Sequence, residues 1–256
     1  WVMPPNIKYM NPEFIIKDKK IYFGLCDVKN VGVSVIDKLE KTLKGKTTKI
    51  NKELGMWNWE EFLVLAAPHI KINSLEALIN VGACDVFNKT RTAMLFEVSI
   101  IRSLSTRELT WIEDNLALKK TSLEKILKQM IAVKPGKDGA CSNKNRLKKI
   151  QDLLVNLLNP PYKLVDKPHI VSQLEYELLG VSLTATVLDE SKNRYKANTS
   201  CSQYNGGYGS GGEPIVIAAK IDNVRQIKTK NGANPGQEMA FIEASDDSGT
   251  INCGVV

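Results

Sequence analysis

The spacing of apolar residues changes near three-quarters of the way along this chain. Up to about residue 198, apolar residues recur at helical spacing. After the Gly/Ser-rich stretch 199–212 they alternate. One packed layer cannot satisfy both patterns, so the chain must place helical modules first and a sheet last, as an α+β multi-domain protein. The 256 residues suit two or three modules, and 43% hydrophobic against 25% charged residues suffices for a buried core.

Pro4 and Pro5 keep the first residues extended, and residues 14–16 and 21–23 flank the polar turn 17–20 as a β-hairpin. Residues 26–45 read as two short helices around Asn30-Val31-Gly32. Residues 41–55, rich in Lys, Thr and Gly, read as a loop. Helices are expected over 59–66, 75–79 and 92–104, with a second turn at Val81-Gly82-Ala83. Residues 105–158 are helical and basic, and Pro160-Pro161 ends them. Within 146–158, Leu147, Ile150, Leu154, Leu157 and Leu158 form one apolar stripe with Lys148 and Lys149 off it. Residues 199–212 read as a linker. Residues 215–227, 238–244 and 250–255 read as strands, the last entered through the turn Asp246-Asp247-Ser248-Gly249.

Charge narrows the function. The net charge is +7, and residues 101–160 carry 12 basic and 6 acidic side chains. A basic chain favours nucleic acid or another acidic partner. The five cysteines are an odd number without CxxC spacing and there are two histidines, His69 and His169. That disfavours a zinc site or a disulfide scaffold and fits a reducing, cytoplasmic setting. No apolar run is long enough to span a membrane. The opening Trp-Val-Met-Pro-Pro reads as the interior of a longer protein. No nucleophile–base pair or metal cluster is apparent, so no catalytic or metal-binding residue is expected.

The first chemistry-bearing stretch is Lys29-Asn30-Val31-Gly32-Val33 before an amphipathic run. Such a turn aims the N–H groups of the following helix outward, where they and the helix dipole hold a phosphate oxygen. Gly32 admits the phosphate and Lys29 adds charge. No base is read, so binding would ignore sequence and weaken with salt. The plain alternative is an ordinary αα-turn. The second stretch is Val81-Gly82-Ala83, followed by Lys89, Thr90 and Arg91, which could cap a helix and touch phosphate. For it alone, a structural turn is the better reading. In the strand region, Arg225, Lys228 and Lys230 surround a basic loop that could meet a single strand. Phe241 could stack on a base, but its apolar neighbours favour a core position. Asp246-Asp247 before Ser-Gly reads as a turn rather than a metal pair.

The order of motifs is more telling. Met3-Pro4-Pro5-Asn6-Ile7 is followed by Ile21-Tyr22-Phe23-Gly24-Leu25 and Val28-Lys29-Asn30-Val31-Gly32. Leu75-Glu76-Ala77-Leu78-Ile79 with Gly82-Ala83-Cys84-Asp85 comes next, then Glu177-Leu178-Leu179-Gly180. Together they resemble the alpha subunit of bacterial DNA polymerase III, the family C replicative polymerases. The order of hairpins before the strand region is that of the DnaE type. Asn30 stands where the family has Gly and Cys84 where it has Phe, which suggests a divergent, phage-like member.

The resemblance implies the end of the fingers and a tandem helix-hairpin-helix domain over 1–104. It implies a helical clamp-associated region over 105–198 and, after the 199–212 linker, the opening part of an OB-fold barrel over 213–256. It further implies duplex and single-stranded template DNA as ligands, a sliding clamp and other replisome proteins as partners, and nucleotidyl transfer with Mg²⁺ in the parent. No cofactor is expected within this stretch. The alternative is a protein-docking module. Gln151-Asp152-Leu153-Leu154-Val155 is the nearest thing to a clamp peptide, although its place in an amphipathic helix favours core packing.

Overall fold

The computed structural model describes residues 1–50 (the backbone alone for 43–50), 57–115, 121–186, 196–207, 212, 214–228 and 236–255. Two compact units divide the chain. One holds residues 1–167 and 174–184, and the other 168–173 and 185–256.

The first unit opens on a small sheet. Strands β1 (Val2–Met3), β2 (Ile15–Lys17) and β3 (Lys20–Tyr22) lie in the order β1-β3-β2, with β1 parallel and β2 antiparallel to β3. The two residues of the β2–β3 turn, Asp18 and Lys19, have φ of 51° and 59°. That left-handed pair is what a two-residue hairpin needs to match strand twist. A single 3-10 turn, Leu25–Asp27, leads through Asn30-Val31-Gly32 into α1 (Val33–Ile50). The helix thus overruns the loop expected from residue 41. The segment contains no proline, and its one glycine costs only about 1 kcal/mol in a helix. Residues 51–56 lie outside the described ones.

Helices α2 (Trp59–Leu65), α3 (Ile72–Asn80) and α4 (Arg91–Arg102) follow. The basic stretch resolves into α5 (Thr106–Asn115), α6 (Leu123–Ala132) and α7 (Lys144–Leu158). Asn58, Thr90, Ser122 and Asn143 each cap the helix that follows by accepting from a backbone N–H in its first turn. The core runs from Leu25, Val28 and Val31 through Leu75, Leu78 and Ile79 to Ile126, Leu127 and Ile150. In α7, Ile150 is fully buried, and Leu147, Leu153, Leu154 and Leu157 pack against the core. Leu158, expected on that stripe, is exposed. Helix α8 (Pro168–Leu179) starts on a proline and ends at Gly180 with φ 79°, a left-handed cap.

In the second unit, helix α9 (Cys201–Asn205) stands where the Gly/Ser-rich composition predicts a linker. Ser200 and Gln203 make a reciprocal capping box that starts it. Cys201, buried with Ala244 and Ile251, anchors it on a meander of β4 (Lys220–Lys228), β5 (Glu238–Asp246) and β6 (Gly249–Val255). These three antiparallel strands match those expected from the alternating pattern, with β4 starting at Lys220 rather than 215. Together the units make an α+β chain with two three-stranded sheets among the described residues.

Candidate nucleic-acid interface

At the first hairpin the apolar residues turn inward and the polar ones outward. Leu25, Val28 and Val31 are buried, so Val31 offers only its backbone. Lys29, Asn30, Gly32 and Ser34 are exposed, and Val33 is 58% exposed. Asn30 has φ 72°, the left-handed conformation for which glycine is the usual choice and which asparagine tolerates. The turn is pinned from outside the motif. Lys29 donates its N–H to the Leu178 carbonyl at 2.9 Å, and the Ser74 hydroxyl donates to the Asn30 carbonyl at 2.7 Å.

Beyond the turn, the Gly32 carbonyl accepts from Val35 and Ile36, closing the first turn of α1. Among the described residues, the N–H groups of Gly32, Val33 and Ser34 make no hydrogen bond, and the first turn of α1 carries no acid. A Cβ built on Gly32 meets nothing within 4 Å. This end of α1 is an open, positively polarised cradle with Lys29 beside it.

The second hairpin is closed. The N–H groups of Val81, Gly82 and Ala83 donate back to Ala77, Ile79 and Leu78 and finish α3, leaving none to point outward. Val81 and Ala83 are buried. Thr90 spends its side chain capping α4 and donating to the Leu164 carbonyl at 2.8 Å. Lys89 sits on Glu97 at 2.7 Å, with Glu60 at 3.7 Å. Arg91, expected to reach DNA, is 5% exposed. Its guanidinium donates to both Asp85 oxygens (3.1 and 2.7 Å), the Asn80 carbonyl (2.7 Å), Glu175 (2.8 Å) and the Thr184 hydroxyl (2.9 Å). Burial alone would lower its pKa, but the Asp85 and Glu175 carboxylates outweigh that and raise it. Arg91 is therefore a brace with no donor to spare for a phosphate.

The start of α4 is also taken. Asp166 accepts from the N–H groups of Arg91 (2.9 Å) and Thr92 (2.8 Å) and from the Thr92 hydroxyl (2.8 Å). A carboxylate of the protein thus occupies the position that a bound phosphate would need. Sequence reasoning missed Asp166, Glu175 and Thr184, which meet Arg91 across 75 to 93 residues of chain. No local pattern announces such pairs. The one available signal was Gly82, whose φ of 82° leaves a gap that the Arg91 guanidinium fills.

In the second unit, Arg225 lies on exposed β4 opposite Phe241, and Lys228 faces Glu238 at 3.7 Å. Lys230 lies outside the described residues. Phe241 is 48% exposed, against the core position favoured above: Cys201 packs on Ala244, which alternates to the other face of β5. The Asp246 side chain makes the turn: its Oδ1 accepts from the Ser248 N–H and hydroxyl, and its Oδ2 from the Cys201 N–H.

Residues 1–94 match the family model described as a helix-hairpin-helix motif. All of this chain aligns with DNA polymerase III subunit alpha of Staphylococcus epidermidis, at 24% identity over 261 residues. The chain is similar to DNA polymerase III subunit alpha over its whole length. The same protein of Staphylococcus aureus gives 24% identity over 262 residues. The resemblance read from the ordered motifs therefore holds through residues 100–160, where no motif was legible. The chain spans 19% of the length of these relatives. No helix among the described residues is long and apolar enough to cross a membrane.

Proposed function

We propose that this chain is a DNA-binding part of a replicative polymerase, gripping duplex DNA through backbone phosphates. The observation that carries this reading is the uncapped start of α1 after the Asn30–Gly32 turn, within the stretch that matches a helix-hairpin-helix. The N–H groups of Gly32, Val33 and Ser34 would bind one phosphate and Lys29 a neighbouring oxygen, with no base contact. The three-stranded meander is read as the opening of an OB-fold, with Arg225 and Lys228 as contacts for single-stranded template. Nucleotide transfer with Mg²⁺ and contacts with a clamp or other replisome proteins belong, on this reading, to the longer protein.

Anisotropy titration of a labelled duplex tests the proposal. Affinity should fall steeply with salt and ignore sequence. Gly32→Val should fill the cradle and weaken binding tenfold or more, on the order of 1.4 kcal/mol. Lys29→Ala should lower the salt slope by about one. Equal binding by folded Gly32→Val and the parent would reduce the first hairpin to a structural turn.

A further inference from the structure

The second hairpin is closed by backbone carbonyls of α3 and by the carboxylates of Asp85, Asp166 and Glu175, yet the cationic excess of the chain lies after it. Within residues 134–149, Lys134, Lys137, Lys144, Lys148 and Lys149 are all exposed. None of them has an ion-pair partner among the described residues. Arg146 is excluded from this set, because Glu108 binds its guanidinium. The acids close by in sequence are Asp138 in the same loop and Asp152, a turn further along α7.

The lysines project from a rigid frame. Arg107 donates to the carbonyls of Gly136, Lys137 and Gly139, and the Gly136 N–H donates to the Cys141 carbonyl at 3.0 Å. Ala140 and Cys141 are fully buried and hold the loop down. Asn143 caps α7, whose first turn contains no acid. Cations at the start of a helix oppose its dipole, and Lys144 and Lys148, four residues apart, repel each other. Local stability would place acids here. A row of lysines in their place is the arrangement an anionic surface would relieve.

We infer that this face, the 134–143 loop with the first two turns of α7, is a second contact for the backbone of the same duplex. The inference rests on the DNA-binding reading above. It supplies the second grip that the closed hairpin cannot, through lysines that meet phosphates as point charges without reading sequence.

The test is a salt series of duplex titrations on the full chain carrying Lys144→Glu, Lys148→Glu and Lys149→Glu together. Glutamate at 144 meets the favourable end of the α7 dipole, and circular dichroism verifies that the helix persists with all three changes. The expected result is a salt slope lower by about three and at least a tenfold loss of affinity at moderate salt. The neutral version, with glutamine at the three positions, should give the same slope with a smaller loss. An unchanged slope in either version, while Gly32→Val still weakens binding, would overturn the inference and leave the hairpin reading standing. Loss of binding to a purified sliding clamp with duplex binding intact would also overturn it, assigning the face to protein docking. No duplex binding by the parent chain would sink both readings.

Discussion

Replacing Gly82 by alanine would put a Cβ 2.3 Å from Nη2 of Arg91 and 2.8 Å from Oδ2 of Asp85, at a φ of 82°. Backbone strain of about 1 kcal/mol adds to displacement of a buried ion pair, so Gly82→Ala should lose about 3 kcal/mol or more in urea unfolding. Arg91→Met should cost about 3–5 kcal/mol, because Glu175, with 0% exposure, would keep a buried charge without its cation. If the folded Arg91→Met variant also lost a phosphate from its salt slope, Arg91 would be more than a brace. Glu108 makes a pH prediction. Burial pushes its pKa up, but hydrogen bonds from Arg146 and Ser105 outweigh burial and hold it below the usual carboxylate range. A depressed folded pKa contributes stability above the unfolded value of about 4.3, lost as pH falls through the folded one. Acid unfolding of the parent should therefore steepen below about pH 4.5. Glu108→Gln should flatten that part of the curve, and an unchanged curve would remove Glu108 from the account.

Elements that look alike in sequence differ in what their ends are doing. Both hairpins offer a Val-Gly turn before a helix, yet α1 begins open and α4 begins on Asp166. Substitutions at the second turn should thus register in stability and those at the first in DNA affinity. Helix α9 gives an element-scale case in the other unit. Its start is tied to β5 because Asp246 accepts from the Cys201 N–H, and Ser248 donates to the same carboxylate. Burial would raise the Asp246 pKa, but these hydrogen bonds lower it to about 2. The contribution of this cap should be present above about pH 4 and lost as pH falls toward 2. Amide exchange of α9 should quicken over that window. An Asp246→Asn variant with the same pH dependence as the parent would count against the cap.

At the scale of the molecule, the two units are held by very different cores. Among the described residues, the first buries side chains from each of α1 to α7, whereas the second buries Cys201, Ala244 and Ile251. Ile221, Val224, Phe241 and Val255 remain exposed on its sheet. Little apolar burial gives a low local opening energy. Hydrogen exchange should accordingly show amides of β4–β6 exchanging well before those of α3, α4 and α6. Equal protection in both units would contradict that ordering.

Much of this was legible in the sequence. Period alone separated the helical part from the strands, turn chemistry located both hairpins and the Asp246 turn, and the ordered motifs pointed to the alpha subunit. These are local properties, decided by residues within a turn or two of one another. The helical end of α1 and the helix at 201–205 were missed because their composition is that of loops; at 201–205 a capping box and the buried Cys201 overrode it. Arg91 was misread for a related reason: an arginine beside a helix start has the same local pattern whether it faces solvent or Glu175. Which helix start keeps its N–H groups free was settled only by the fold, when Leu164, Asp166 and Glu175 came back to the second hairpin. A buried charge is tolerated only with its partners in place, and those partners lie too far along the chain for any local pattern to show.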